Sequence, residues 1–136
     1  MTLFVDTSVW SLALRRDADA GVAQVEELRR ALHASEIVVT TGLILQELLQ
    51  GFAGPRAPLD ILERFEALPT ISPDRSDHIE AAAIGNRCRR AGVQLGTIDA
   101  LLARLCIRHE LRMLTTDRDF EHAATHCPLQ LWRASC

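Results

Sequence analysis

Two kinds of hydrophobic pattern alternate along this chain. Short unbroken apolar or β-branched runs, "TLFV" (2–5), "EIVVT" (36–40) and "LRMLTT" (111–116), read as buried strands. "PTIS" (69–72) and "PLQLW" (128–132) are weaker runs of the same kind. Between them lie longer segments whose apolar residues return every three or four positions, as on one face of a helix. Thr7 or Ser8 opens the first such helix, running to about Arg15. In "DADAGVAQVEELRRALHAS" (17–35) the stripe is Val22, Val25, Leu28 and Leu32. In "TGLILQELLQGF" (41–52) it is Ile44, Leu45, Leu48, Leu49 and Phe52.

"LDILERFEAL" (59–68) continues the series. Pro73 then starts a helix through "DRSDHIEAAAIGNRCRRAG", which stops at Gly92. Thr97 is placed to cap "IDALLARLCIRHE", and "DRDFEHAATH" (117–126) is a short helix before the last strand. Strands that alternate with helices predict an α/β fold. It is a three-layer α/β/α arrangement around a mostly parallel sheet of about five strands, made as one domain over residues 1–136.

Composition narrows the function. Hydrophobic residues make up 48% and charged residues 24%, as in an ordinary water-soluble domain. No run suits a signal peptide or a membrane span, so a cytoplasmic location is expected. The four cysteines are scattered with no CxxC pair, which fits thiols in a reducing compartment. All 15 basic residues are arginine, which excludes chemistry that needs a lysine. The net charge of −3 gives no overall attraction to nucleic acid, so any such contact needs a local basic patch.

In an open parallel sheet, ligands gather at the carboxyl ends of the strands. Asp6 ends the first strand and Asp117 follows the fourth. Each either caps the helix it precedes or stands on the rim as a functional acid. Glu47 lies beside its helix's apolar stripe, six residues and about 9 Å of helix rise past Thr41. Its helix must tilt across the rim for Glu47 to join the group. Asp99, in "GTIDALLARL", either complements a helix dipole or is a fourth rim acid. Four clustered carboxylates cannot all stay ionised without a cation. An all-oxygen donor set favours Mg²⁺ or Mn²⁺ over zinc.

"FVDTSVW", "LILQELLQG", "TIDALLARL" and "LTTDRDFE" resemble, in order, the four acidic motifs of the PIN-domain ribonucleases. The short single-domain form resembles the VapC-type toxins of toxin–antitoxin pairs. The resemblance implies a Mg²⁺- or Mn²⁺-dependent endoribonuclease that leaves 5′-phosphate and 3′-hydroxyl ends. It assigns catalytic and metal roles to Asp6, Glu47, Asp99 and Asp117, with Asp119 as a fifth acid or a loop-shaping residue. Thr7 or Thr116 would orient a carboxylate or water. A VapB-type antitoxin is the implied partner, in a homodimer or an antitoxin-bound hetero-oligomer. The apolar stretches "LILQELLQGF" and "LDILERF" serve either an interface or the core.

An acidic site on an acidic protein needs cations to hold RNA. Arg87, Arg89 and Arg90 are the first candidates, ahead of Arg75, Arg104 and Arg118, although the "RCRR" run also suits a solvated helix end. His122 and His126 stand beside Cys127 but lack the frame of a zinc site. Trp10 is expected to pack rather than stack on bases. Two other readings compete with the nuclease. An aspartyl-phosphate phosphotransferase or receiver would place a second acid where Ser8 stands, and would use a lysine. A non-catalytic binding module would not require all the acids.

Overall fold

The computed structural model describes residues 1–15, 21–52 and 54–135. Residues 17–20 of the expected second helix, and Cys136, lie outside them. The elements run β1 (Leu3–Val5), α1 (Thr7–Leu14), α2 (Ala23–His33), β2 (Val38–Thr41), α3 (Gly42–Gly51), α4 (Ala57–Glu66) and β3 (Thr70–Ile71). They continue with α5 (Arg75–Arg90), α6 (Thr97–Arg108), β4 (Arg112–Leu114), α7 (Arg118–Ala123) and β5 (Gln130–Leu131). The sheet order is β3-β2-β1-β4-β5 and every pairing is parallel.

That order fixes where a site can form. From β1 the chain steps outward to β2 and β3, then crosses back over β1 to β4 and β5. Right-handed crossovers put α1–α4 on one face and α5–α7 on the other. The packing agrees: α1 lies on α2 and α3, α3 on α4, and α5 on α6. The winding reverses between β1 and β4, so a crevice opens at their carboxyl ends. Phe4, Val5, Met113 and Leu114 are wholly buried between the layers. Trp10 is 2% exposed and packs on Phe65 with ring centroids 4.9 Å apart, a core role as expected.

Some boundaries move. α2 starts at Ala23, because Gly21 holds φ +140° just ahead of it. Leu32 falls off its stripe and is exposed, while Ala31 is buried in its place. Gly92 does end the α5 segment: at φ +80° it lets Val93 N–H reach Cys88 O at 2.8 Å. Gly96, not Thr97, is the N-cap of α6, which makes Asp99 its third helical residue.

Buried charge holds α5 to α6. Asp74 and Asp77 form a reciprocal capping box at the start of α5, each accepting the other's backbone N–H at 2.9 Å. Asp77 is fully buried and also accepts from Arg104 Nε at 3.0 Å and from Arg108. Arg108 reaches Asp74 as well, at 3.0 Å.

Candidate active site

β1 delivers Asp6 to the crevice. The Asp6 N–H donates to Leu114 O at 2.9 Å, which carries the β1–β4 pairing one residue past the strand. Its carbonyl accepts from Val9 and Trp10 at 3.1 and 3.2 Å, so Asp6 does occupy the N-cap of α1. Its carboxylate makes no cap bond. Instead Oδ2 accepts from Ser8 Oγ at 2.7 Å and Thr115 Oγ1 at 2.8 Å. A 6% exposed carboxylate held by two hydroxyls is placed for a purpose other than capping.

The same hydroxyls bind the β4 side. Thr115 Oγ1 accepts the Asp117 N–H at 3.0 Å, and Ser8 Oγ accepts the Thr116 N–H at 3.1 Å. The two oxygens stand 3.3 Å apart. Asp6 and Asp117 are thus joined through one threonine. Asp117 caps α7, accepting from the Asp119 N–H at 2.9 Å, and Asp119 itself is exposed. The orienting hydroxyl expected of Thr116 therefore belongs to Thr115; Thr116 contributes its backbone N–H and its side chain is exposed. The sequence carries a weak signal of this relay, a hydroxyl two residues after Asp6 and another two before Asp117.

Glu47 and Asp99 line one groove of about 380 Å³, together with Leu43, Gln46 and Gln50. α3 leaves β2 with no intervening loop, so its second turn stays near the rim. Burial first, and then the charges of Asp6, Asp117, Glu47 and Asp119, together raise the Asp99 carboxyl to about 6. Glu47 is exposed as a residue, yet partial desolvation and then Asp6 raise its carboxyl. The neighbouring Thr7 hydroxyl opposes that shift by pointing its buried Oγ1 toward Glu47, just outside full hydrogen-bonding geometry. The other four acids therefore stand within charge range of Asp99, and Asp6 within charge range of Glu47. Among the described residues, no three His, Cys, Asp or Glu side chains close into a ready-made metal cage.

The candidate cations divide. Arg104 is committed to Asp77 and is a structural residue. Arg87 donates to His126 O at 3.3 Å, and Arg89 to Asn86 Oδ1 at 2.8 Å. Arg90 is exposed at the end of α5, and Arg75 and Arg118 are exposed at the starts of α5 and α7.

The PIN domain family matches residues 3–125 of this chain. A VapC ribonuclease of Mycobacterium bovis and ribonuclease VapC11 of Mycobacterium tuberculosis are each 31% identical to it over 130 residues, covering 94% of this chain and 96% of theirs. Among solved structures, VapBC2 from Rickettsia felis bound to a DNA fragment from its promoter superposes with a TM-score of 0.75 at 16% identity, covering 97% of this chain and 98% of that one. The Sarcin-Ricin loop cleaving toxin VapC20 of Mycobacterium tuberculosis gives a TM-score of 0.63 at 24% identity, over 89% of this chain and 94% of that one. With its fold, its rim of acids and relatives along nearly its whole length, the chain belongs to the PIN domain family and, within it, to the VapC ribonucleases.

Proposed function

We propose that this VapC-family chain is a divalent-metal-dependent endoribonuclease that hydrolyses RNA phosphodiester bonds, and that it acts as the toxin of a toxin–antitoxin pair. The observation that supports this is the carboxyl of Asp99, set within charge range of Asp6, Glu47, Asp117 and Asp119 at the crevice between β1 and β4. The residues fit Mg²⁺ or Mn²⁺ by the chemistry of their donors, which are carboxylate oxygens with no histidine or cysteine among them. Asp6, Asp99, Glu47 and Asp117 would hold the ion, with Asp119 at the margin. Bound there, a divalent ion would acidify a water and offset charge on the scissile phosphate.

The protein's own part is positioning. Ser8 and Thr115 fix Asp6, and Thr115 fixes the start of the Asp117 loop. Asp99 or Asp117 accepts a proton from the attacking water. Arginines at the end of α5, Arg87, Arg89 and Arg90, offset the repulsion between an acidic rim and RNA.

An antitoxin arginine inserted among the acids would satisfy them in place of a metal and so silence the enzyme. Leu59 and Leu62 are exposed at 67% and 47% on α4, an apolar face suited to assembly with a second chain. RNA-end mapping after induced expression, parent against Asp6→Asn, tests the nuclease. New ends in the parent alone support it. Equal cutting by the variant in clean preparations overturns it.

A further inference from the structure

α5 presents His78, Ala82, Gly85, Asn86 and Arg89 to one groove of about 520 Å³. Their spacing of three and four places them on a single helical face. Val93, Gln94 and Leu95 form the end of the groove, and the first turn of α6 is its other wall. Gly96, Thr97 and Ile98 line both this groove and the one that holds Glu47 and Asp99. The two grooves therefore meet across the start of α6.

We infer that the α5–α6 groove is the track for the RNA segment next to the scissile phosphate, and that Arg89 takes a backbone phosphate there. The inference rests on the nuclease reading above. Charge is the first reason. Among the described residues no Asp or Glu lines this groove, whereas Glu47 and Asp99 line the adjoining one. A polyanion leaving the acidic rim finds Arg89 and the amides of Asn86 and Gln94. The second reason is orientation. Arg89 is steadied by Asn86 Oδ1 at 2.8 Å, which leaves other guanidinium N–H groups for a ligand. Arg87, by contrast, is turned to His126 and is absent from the groove. The third is the floor. Ala82 and Gly85 keep it open, and Ala81, Leu95 and Leu101 give it an apolar surface on which a base can pack.

The test uses the full chain and a mixed-sequence, fluorescently labelled single-stranded RNA with Mn²⁺. Arg89→Ala is expected to raise KM about five- to tenfold with kcat within about twofold of the parent. It should also lower the slope of log affinity against log salt by about 0.7. Ala82→Phe, at an exposed position, fills the groove without changing charge and should raise KM alike. Arg30→Ala is the control; Arg30 lines a cavity with Met1 and Leu3 at the opposite, amino end of the sheet. Unchanged KM and salt slope in both groove variants, with Asp6→Asn inactive, overturn the track and leave the nuclease standing. An altered sedimenting mass with unchanged KM overturns it in favour of a protein interface. Full activity in Asp6→Asn overturns both readings.

Discussion

Replacing Asp77 with alanine tests how α5 is held against α6. The carboxylate is fully buried, closes the capping box with Asp74, and accepts from Arg104 and Arg108. Removing one partner of a buried ion network costs about 3–5 kcal/mol, because the other charges stay behind. Arg104 and Arg108 are 22% and 35% exposed and can turn partly to water, so the lower end applies, about 3 kcal/mol. With a urea m-value of about 2 kcal/mol/M, the unfolding midpoint should fall by about 1.5 M. The pH dependence follows from the ionised form. Burial pushes the Asp77 carboxyl up, but the Asp74 N–H and the two guanidiniums outweigh it and hold it below its ordinary value. A lowered acid adds stability above its unfolded value, about 3.9, and that contribution is lost as pH falls through the folded value. Acidification below about pH 4 should therefore destabilise the parent more than Asp77→Asn. A midpoint shift under about 0.3 M for Asp77→Ala would show that the network contributes little.

Three further outcomes can be measured directly. Asp99 is raised to about 6, so the metal-free fold is strained where Asp99 is charged: stability falls as pH climbs from about 4 through 6 and stays lowered above. Asp99→Asn, followed by thermal melts in chelator, should gain about 1 kcal/mol at pH 8 after allowance for solvent screening, and little at pH 4; an equal gain at both pH values contradicts this. Thr115→Val keeps the shape but leaves Asp6 without one hydroxyl, so RNA cleavage should fall about tenfold in kcat with a native circular dichroism spectrum; full activity would show that Ser8 alone suffices. Gly92→Ala puts a Cβ at φ +80° and should lower stability by about 1 kcal/mol in urea titration, with no change meaning that the turn adapts.

The legible parts of the fold were those written locally. Central parallel strands are buried on both faces, so "TLFV", "EIVVT" and "LRMLTT" stand out as unbroken apolar runs. Edge strands β3 and β5 are two residues each and gave only weak runs. Helix starts shifted at α2, where Gly21 has a positive φ, and by one residue at α6, where the extended Gly96 is the N-cap. Side-chain relays were not legible. Thr115 meets Asp6 across 109 positions, and Arg104 and Arg108 meet Asp77 across 27 and 31. No spacing rule reaches that far, so the sequence does not separate Arg104, paired with Asp77, from an arginine free to hold RNA. The acids could be proposed as a set because each follows a strand or sits on a helix leaving the same edge, a regularity the α/β topology imposes.

The buried network and the acidic rim are two ends of one device. α6 carries Asp99 in its first turn and Arg104 and Arg108 in its last two, so the helix that brings a carboxylate to the rim is anchored at its far end to Asp77. Leu101, Leu102 and Leu105 bury the turns between. A helix fixed in this way cannot swing Asp99 away from Asp6, Glu47 and Asp117 to ease their repulsion. The strain has two outlets, uptake of a proton at Asp99 or arrival of a cation among the acids. Near neutral pH the proton is mostly gone and the cation remains. On the proposed metal-dependent reading, rigidity in the α5–α6 pair would turn a cluster of like charges into a site with affinity for a divalent ion. Loosening it by Asp77→Ala should weaken Mn²⁺ binding measured by calorimetry, although Asp77 is not among the rim acids; unchanged affinity would mean that the rim organises itself without the anchor.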